Sequence, residues 1–291
     1  MLSHLSWLTA PFLDYEFMRR ALVGAFAIAL AGAPLGVFLI LRRMSLSGDA
    51  MAHAILPGAA IGYLIAGLSL PAMTIGGVVA GFAVAIGSGA VARATALRED
   101  ASLAAFYLLS LALGVTIVSV RGSNVDLLHV LFGSVLALDN ATMILLASIS
   151  SLTLIGLAVI YRPLVMDTLD PGFLSSVSRA GAWTHAAFLA LIALNLVAGF
   201  QALGTLLAVG AMMLPAISAR LWTQNISGMI LIAAAFGVAG AYAGLLASFY
   251  WGLPSGPLII LACGLIYLGS LIAGPAGGLL RKITPRSHLE G

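Results

Sequence analysis

Charge is what this sequence has least of. Only 8% of its 291 residues are Asp, Glu, Lys or Arg, against 62% hydrophobic, where a water-soluble domain carries about 25% charged residues. So few charges cannot cover a water-facing surface of that size, and lipid is the solvent over most of the chain. Lysine is rarer still: the single Lys282 is followed by Ile283. A phosphate-binding P-loop needs Gly-Lys followed by Ser or Thr, so nucleotide is not held here in that way. Lysine-based covalent chemistry inside the membrane is excluded with it, and the energy for any active transport must come from another subunit or an ion gradient. Cysteine is confined to Cys263, within an apolar run, which rules out an intrachain disulfide and a cysteine metal cage. The patterns His-Glu-x-x-His and Gly-x-Ser-x-Gly are both absent, so no catalysis is expected. The formal net charge of +3 is spread thinly between apolar runs, and nucleic acid is not an expected partner. The first residues combine neither a basic start nor a long apolar run, so no cleavable signal peptide is expected.

What is present is length of apolar run. Stretches able to cross a bilayer fall at 21–41, 50–67, 72–92, 101–120, 141–161, 182–201, 203–220, 228–251 and 257–278. The expected fold class is therefore all-α, a polytopic transmembrane helical bundle of about nine spans. The 33 glycines suit close helix packing within it. A further apolar stretch, 127–138, would rise only about 18 Å as a helix and is expected to be a short re-entrant or interfacial helix. With nine spans and the N-terminus outside, Arg42, Arg43, Arg93, Arg98, Arg162, Arg179, Arg220, Arg281, Lys282 and Arg286 lie on the cytoplasmic side. Only Arg19, Arg20 and Arg121 remain outside, which follows the positive-inside bias. Residues 1–20, with Trp7, Phe12, Tyr15 and Phe17, are expected as an outer-interface segment, 21–280 as the transmembrane domain and 281–291 as a cytoplasmic tail.

Two stretches carry polar chemistry into apolar surroundings. In the run from Arg43 to Gly58, Asp49 and His53 stand four residues apart and share one helical face. Ionisable groups in a span are costly and face a passage or a partner; carboxylate and imidazole are both ligands for Zn²⁺ or Mn²⁺. Two groups do not close a site, but a homodimer with the pair near its two-fold axis would bring four. The alternative has Asp49 as a helix cap and His53 as its structural partner. Pro57 and Gly58 should kink the same span and free carbonyls where it lines a cavity, with a packing kink as the other reading. Pro215 breaks a later span in a similar way, and Met213 beside it is a soft possible contact or, as the other reading, a packing residue. The longest polar connection, 162–181, is expected to be a loop in which Asp170 caps a short helix starting at Pro171 and ending at Gly181.

These residues carry a resemblance. The run Arg43 to Gly58, the run Gly204 to Ala219 with its Leu-Pro-Ala, and Pro254-Ser-Gly-Pro257 resemble the signatures of the zinc/manganese/iron-type ABC permeases, over about residues 15–276. The resemblance implies an architecture related to type II ABC importer permeases in a bacterial inner membrane. It also implies assembly of a second copy of the chain with cytoplasmic ATP-binding subunits and an extracytoplasmic metal-binding protein. It makes Asp49 and His53 the metal contact, with Pro57, Gly58, Met213 and Pro215 along the passage. It assigns coupling to the ATPase to segment 167–181, with Asp167, Asp170, Pro171, Phe173, Arg179 and Gly181. Residues 128–134 become a short outer helix. No resident cofactor is implied, only a transported divalent ion; zinc is placed first, with manganese or iron as alternatives. A secondary carrier, or a permease for cobalamin or siderophore cargo, is the competing reading.

Overall fold

Helix follows from the sequence because no other open structure satisfies its backbone in lipid. In the computed structural model, which describes residues 6–67, 69–96, 99–120, 138–170, 172 and 180–280, the helices run in chain order. They are α1 Ser6–Asp14, α2 Glu16–Leu41, α3 Ser45–Ala54, α4 Leu56–Ala66, α5 Leu70–Ala94 and α6 Glu99–Val120, then α7 Asn140–Leu169, α8 Ala180–Leu203, α9 Thr205–Arg220, α10 Ile226–Trp251 and α11 Ser255–Ala273. Among the described residues seven stretches are long and apolar enough to cross a membrane, with α3 and α4 counted together. Two shorter apolar helices, Ala101–Ile117 and Leu207–Arg220, stand where the remaining expected spans fall. The expected short helix at 128–134 lies outside the described residues.

The spans are not equally covered. In its most apolar stretch α2 is 72% buried, whereas α11 is 22% buried. The reason is composition: α2 carries Gly24, Gly32 and Gly36 among its buried positions, which let neighbours approach on several sides. A methyl group on Gly36 would run into the Met212 carbonyl of α9, and one on Gly24 would meet Leu138 at 2.7 Å. Leu35, Phe38 and Leu39 of α2 form a core with Met51 and Ile55 on one side and Phe188, Ile192 and Leu196 on the other.

The two faces of the bundle differ in chemistry. At one, α1 packs on the ends of α2 and α10. Phe12 stacks on Tyr242 with centroids 5.1 Å apart, Tyr242 donates its hydroxyl to the Leu8 carbonyl at 2.9 Å, and Tyr250 donates to that of Trp7. Aromatic rings with polar tips suit the headgroup level. At the opposite face α2 ends at Leu41, and the chain reverses through Arg42 and Arg43, the latter in the left-handed region at φ 59°. Its neighbour Met44 donates to the Leu39 carbonyl at 2.8 Å, a bond that satisfies one of the carbonyls a helix end leaves open.

Two boundaries differ from expectation. The second span begins five residues earlier than its apolar run, at Ser45, and is broken at Ile55, with Pro57 in the first turn of its second half. Proline has no N–H to bond backwards and is well accommodated at a helix start. The expected loop from 162 is also corrected: α7 continues through Pro163 to Leu169, so Asp170 caps its end and donates its N–H to the Met166 carbonyl at 2.9 Å. Pro171, Phe173 and Arg179 lie outside the described residues, and with them most of the short helix expected from Pro171 to Gly181.

Candidate functional site

Asp49 and His53 are both on α3, one turn apart, with Nε2 of His53 3.8 Å from Oδ1 of Asp49. The helix starts four residues before Asp49, at Ser45, with Met44 as N-cap and no side-chain cap bond. Asp49 is thus not the helix cap. Nor do the two side chains satisfy each other, since 3.8 Å is beyond hydrogen-bond length. It is close to the ~3.4 Å spanned by two bonds of ~2.1 Å from one metal ion at a tetrahedral angle. Nδ1 of His53, on the other side of the ring, is buried without a hydrogen-bond partner. The ring lies 6.1 Å from that of Tyr107 on α6, at 30° to it.

The two groups differ in exposure. The side chain of Asp49 is 64% exposed and that of His53 28%, while Met51 on the far side of the same helix is completely buried. A helix in lipid with a carboxylate pointing away from its own bundle needs water or protein opposite it. Among the described residues no three His, Cys, Asp or Glu side chains converge as a metal cage, and Asp49 and His53 stand as two donors.

The floor under α3 is tightly built. A methyl group on Gly48 would sit 3.1 Å from Cε of Met212 and 3.8 Å from the sulfur of Met213, both of them buried residues of α9. Pro215, one turn further along α9, has its Cγ 3.6 Å from where Gly237 of α10 would carry a Cβ. Pro57 is buried, and Gly58 abuts α5 so closely that an added methyl group would collide with the Gly76 carbonyl. The break at Ile55 leaves the Ala54 carbonyl without its usual partner, and the Ser110 hydroxyl of α6 donates to it at 2.9 Å. The structure thus brings Met213 beside the residue preceding Asp49, and places Pro57 and Gly58 one turn beyond His53.

Of the residues expected to couple to an ATPase, Asp167 is buried in the bundle. Its carboxylate accepts from Nη2 of Arg42 at 2.7 Å, and the same nitrogen lies 2.9 Å from Nδ1 of His185 on α8. A guanidinium only donates, so Nδ1 of His185 accepts and the ring proton sits on Nε2. The Arg42 guanidinium also lies over the Phe188 ring, 5.4 Å from its centroid. Asp170 and Gly181 flank the segment that follows α7. Arg42 and His185 were not singled out as site residues from sequence, because the pairing joins positions 125 and 143 residues apart. The one available signal was an arginine ending an apolar run and a carboxylate in the polar connection expected on the same face.

Comparison with known proteins agrees on one family. The profile of the ABC 3 transport family matches residues 14–274. The chain is similar to the manganese transport system membrane protein MntC of Halalkalibacterium halodurans, 31% identical over 282 residues that make up 97% of this chain and 95% of that one. It is similar to the manganese import system permease protein ScaB of Streptococcus gordonii, 29% identical over 92% of this chain and 95% of that one. Its fold superposes with a TM-score of 0.83 on a chain of PsaBC from Streptococcus pneumoniae in complex with Fab, at 27% identity, covering 98% of this chain and all of the other.

Proposed function

The chain belongs to the ABC 3 transport family, and from that membership we propose that it builds the membrane passage of an ATP-driven importer for manganese. As a permease subunit of an ABC transporter in a bacterial membrane it performs no chemistry of its own; ATP is hydrolysed by a separate subunit. Family membership also sets aside a secondary carrier driven by an ion gradient. Zinc, placed first by the sequence, gives way to manganese because the relatives named above are manganese transporters. A carboxylate with an imidazole serves Mn²⁺ as readily as Zn²⁺.

The observation that carries the reading is the exposed Asp49 carboxylate, 64% uncovered on the first half of a broken span and 3.8 Å from an imidazole. Lipid is a poor neighbour for that face. A second copy, related by a two-fold axis beside α3, would cover it and offer two further donors, giving two carboxylates and two imidazoles around one ion. Such a site holds an ion in passage, between delivery by an extracytoplasmic binding protein and release on the cytoplasmic side. The segment from 167 to 181, at the charged face, is the place where cytoplasmic ATP-binding subunits would act. Pro57, Gly58, Met213 and Pro215 form the rigid surround that sets the position of the pair.

The test is manganese uptake by the complex reconstituted with its ATP-binding subunit and binding protein. Replacing Asp49→Ala with His53→Ala should lower uptake at least tenfold while the subunits still co-purify. Undiminished uptake by that double variant would remove the pair from the passage.

A further inference from the structure

We propose that the Arg42–Asp167 pair is the joint that carries movement of the polar segment after α7 to the α2–α3 turn, and through it to Asp49 and His53. The inference rests on the reading that this segment receives the stroke of an ATP-binding subunit. It changes the role of Asp167 within that reading: the carboxylate faces inward as a positioning residue and is not a contact to the other subunit.

The geometry is that of a three-helix junction. Arg42 closes α2, Asp167 lies in the last turn of α7, and His185 lies in the second turn of α8. One nitrogen, Nη2 of Arg42, contacts both acceptors, at 2.7 and 2.9 Å. The side chains of Arg42 and Asp167 are only 13% and 10% exposed. Below them aromatic rings repeat the same three-way contact: Phe38 of α2 meets Tyr161 of α7 at 6.1 Å and Phe188 of α8 at 6.2 Å, both edge-on. A buried pair resists separation because either charge left alone would lack a partner away from water. The ends of α2, α7 and α8 are therefore held to move together.

What the joint reaches is set by chain length. Asp167 stands three residues before Asp170, where α7 ends. Arg42 stands three residues before Ser45, where α3 begins, and between them Arg43 holds the left-handed conformation that fixes the reversal. α3 is a rod of nearly three turns with Asp49 and His53 along it. A tilt of the Arg42 turn therefore reorients both ligands as one body. The Gly48 contact with Met212 and Met213 supplies the surface on which that rod rocks.

The experiment uses the full complex in proteoliposomes, reading manganese uptake per ATP hydrolysed, basal ATP hydrolysis and recovery of the ATP-binding subunit. Asp167→Asn should keep the subunit bound and basal hydrolysis within about twofold, yet lower uptake per ATP at least tenfold. Exchanging the charges, Arg42→Asp with Asp167→Arg, should restore a substantial part of that ratio, which a merely structural loss would not allow. Loss of the ATP-binding subunit in Asp167→Asn would make the carboxylate a docking contact and overturn the joint, as would an unchanged ratio or an exchange that restores nothing. Should Asp167→Asn not be recovered from the membrane, Arg42→Gln decides: it removes the charge from the pair, so a reduced ratio with the ATP-binding subunit still bound supports the joint and an unchanged one overturns it. Failure of the wild-type complex to take up manganese with ATP would instead defeat the functional reading, and the joint with it.

Discussion

Ser110 of α6 donates its hydroxyl to the carbonyl of Ala54, the residue that follows His53, across 2.9 Å. That carbonyl belongs to the last residue of α3, next to the break at Ile55, and both partners are buried. The hydroxyl thus takes over the part of an amide that the interrupted helix does not supply, and it does so within one residue of the imidazole.

Ser110→Ala should leave the Ala54 carbonyl unpaired and destabilise the bundle by about 1 kcal/mol. Manganese uptake should fall further than stability, because the bond fixes the end of the rod carrying His53. Thermal unfolding in detergent alongside uptake would separate the two effects; equal midpoints for variant and parent would show that the carbonyl has another partner.

Gly58 and Gly76 form the closest approach between α4 and α5, where a methyl group on either would collide with the carbonyl of the other. Gly76→Ala should force the helices apart at a cost of about 1–3 kcal/mol and lower uptake. Gly269→Ala, where nothing stands within 4 Å, is the matched control and should change neither.

α8 turns into α9 through one residue, Gly204 at φ 86° and ψ 161°. The two helices then run side by side so tightly that a methyl group on Gly199 would sit 2.6 Å from Cβ of Ala208. Gly204→Ala should destabilise the hairpin by about 1–3 kcal/mol, since side chains oppose that backbone. By contrast, Gly252→Asn, at φ 65° and ψ 26° with open space around it, should be tolerated. Midpoints of thermal unfolding for the two variants test the contrast.

Asp139 caps α7 by accepting from the Thr142 N–H at 2.9 Å. Hydrogen bonding to Thr142 holds its carboxyl below the usual range for aspartate. A carboxyl depressed in the folded state stabilises above its unfolded value of about 3.9 and loses that contribution as pH falls through the depressed value. Asp139→Ala should therefore lower the unfolding midpoint at neutral pH, and the difference from the parent should vanish as pH falls through that depressed value. A difference between variant and parent that grows on acidification would contradict the cap.

Much of the bundle was legible because its signals are local. Apolar runs of span length marked the helices, and the four-residue spacing of Asp49 and His53 put both on one face. The start of α3 was harder to place, because Ser45-Leu-Ser-Gly reads as a polar approach to an apolar run. Burial against Met212 and Met213 holds that stretch in the helix, and the contact comes from a distant part of the chain. The extension of α7 was missed for the same kind of reason. Arg162, Pro163, Asp167 and Asp170 have the composition of a loop, and it is the Arg42 partner that lets Asp167 lie buried on a helix. Tertiary charge pairing overrode local preference at both ends of this junction.

That extension also sets a distance. Thirty residues of α7 rise about 45 Å, and even at a 30° tilt they would still reach about 39 Å along the bilayer normal, against a hydrocarbon thickness of ~30 Å. The last turns of α7, with Asp167 and Asp170, therefore reach past the acyl chains while Asp167 stays packed against the bundle. A partner arriving from the aqueous side would grip its tip without touching lipid, and a push of a few ångströms there would enter the bundle along a stiff rod. Thinner or thicker bilayers would raise or lower that tip, so the turnover of this transporter should depend on acyl-chain length even where its affinity for the ion does not.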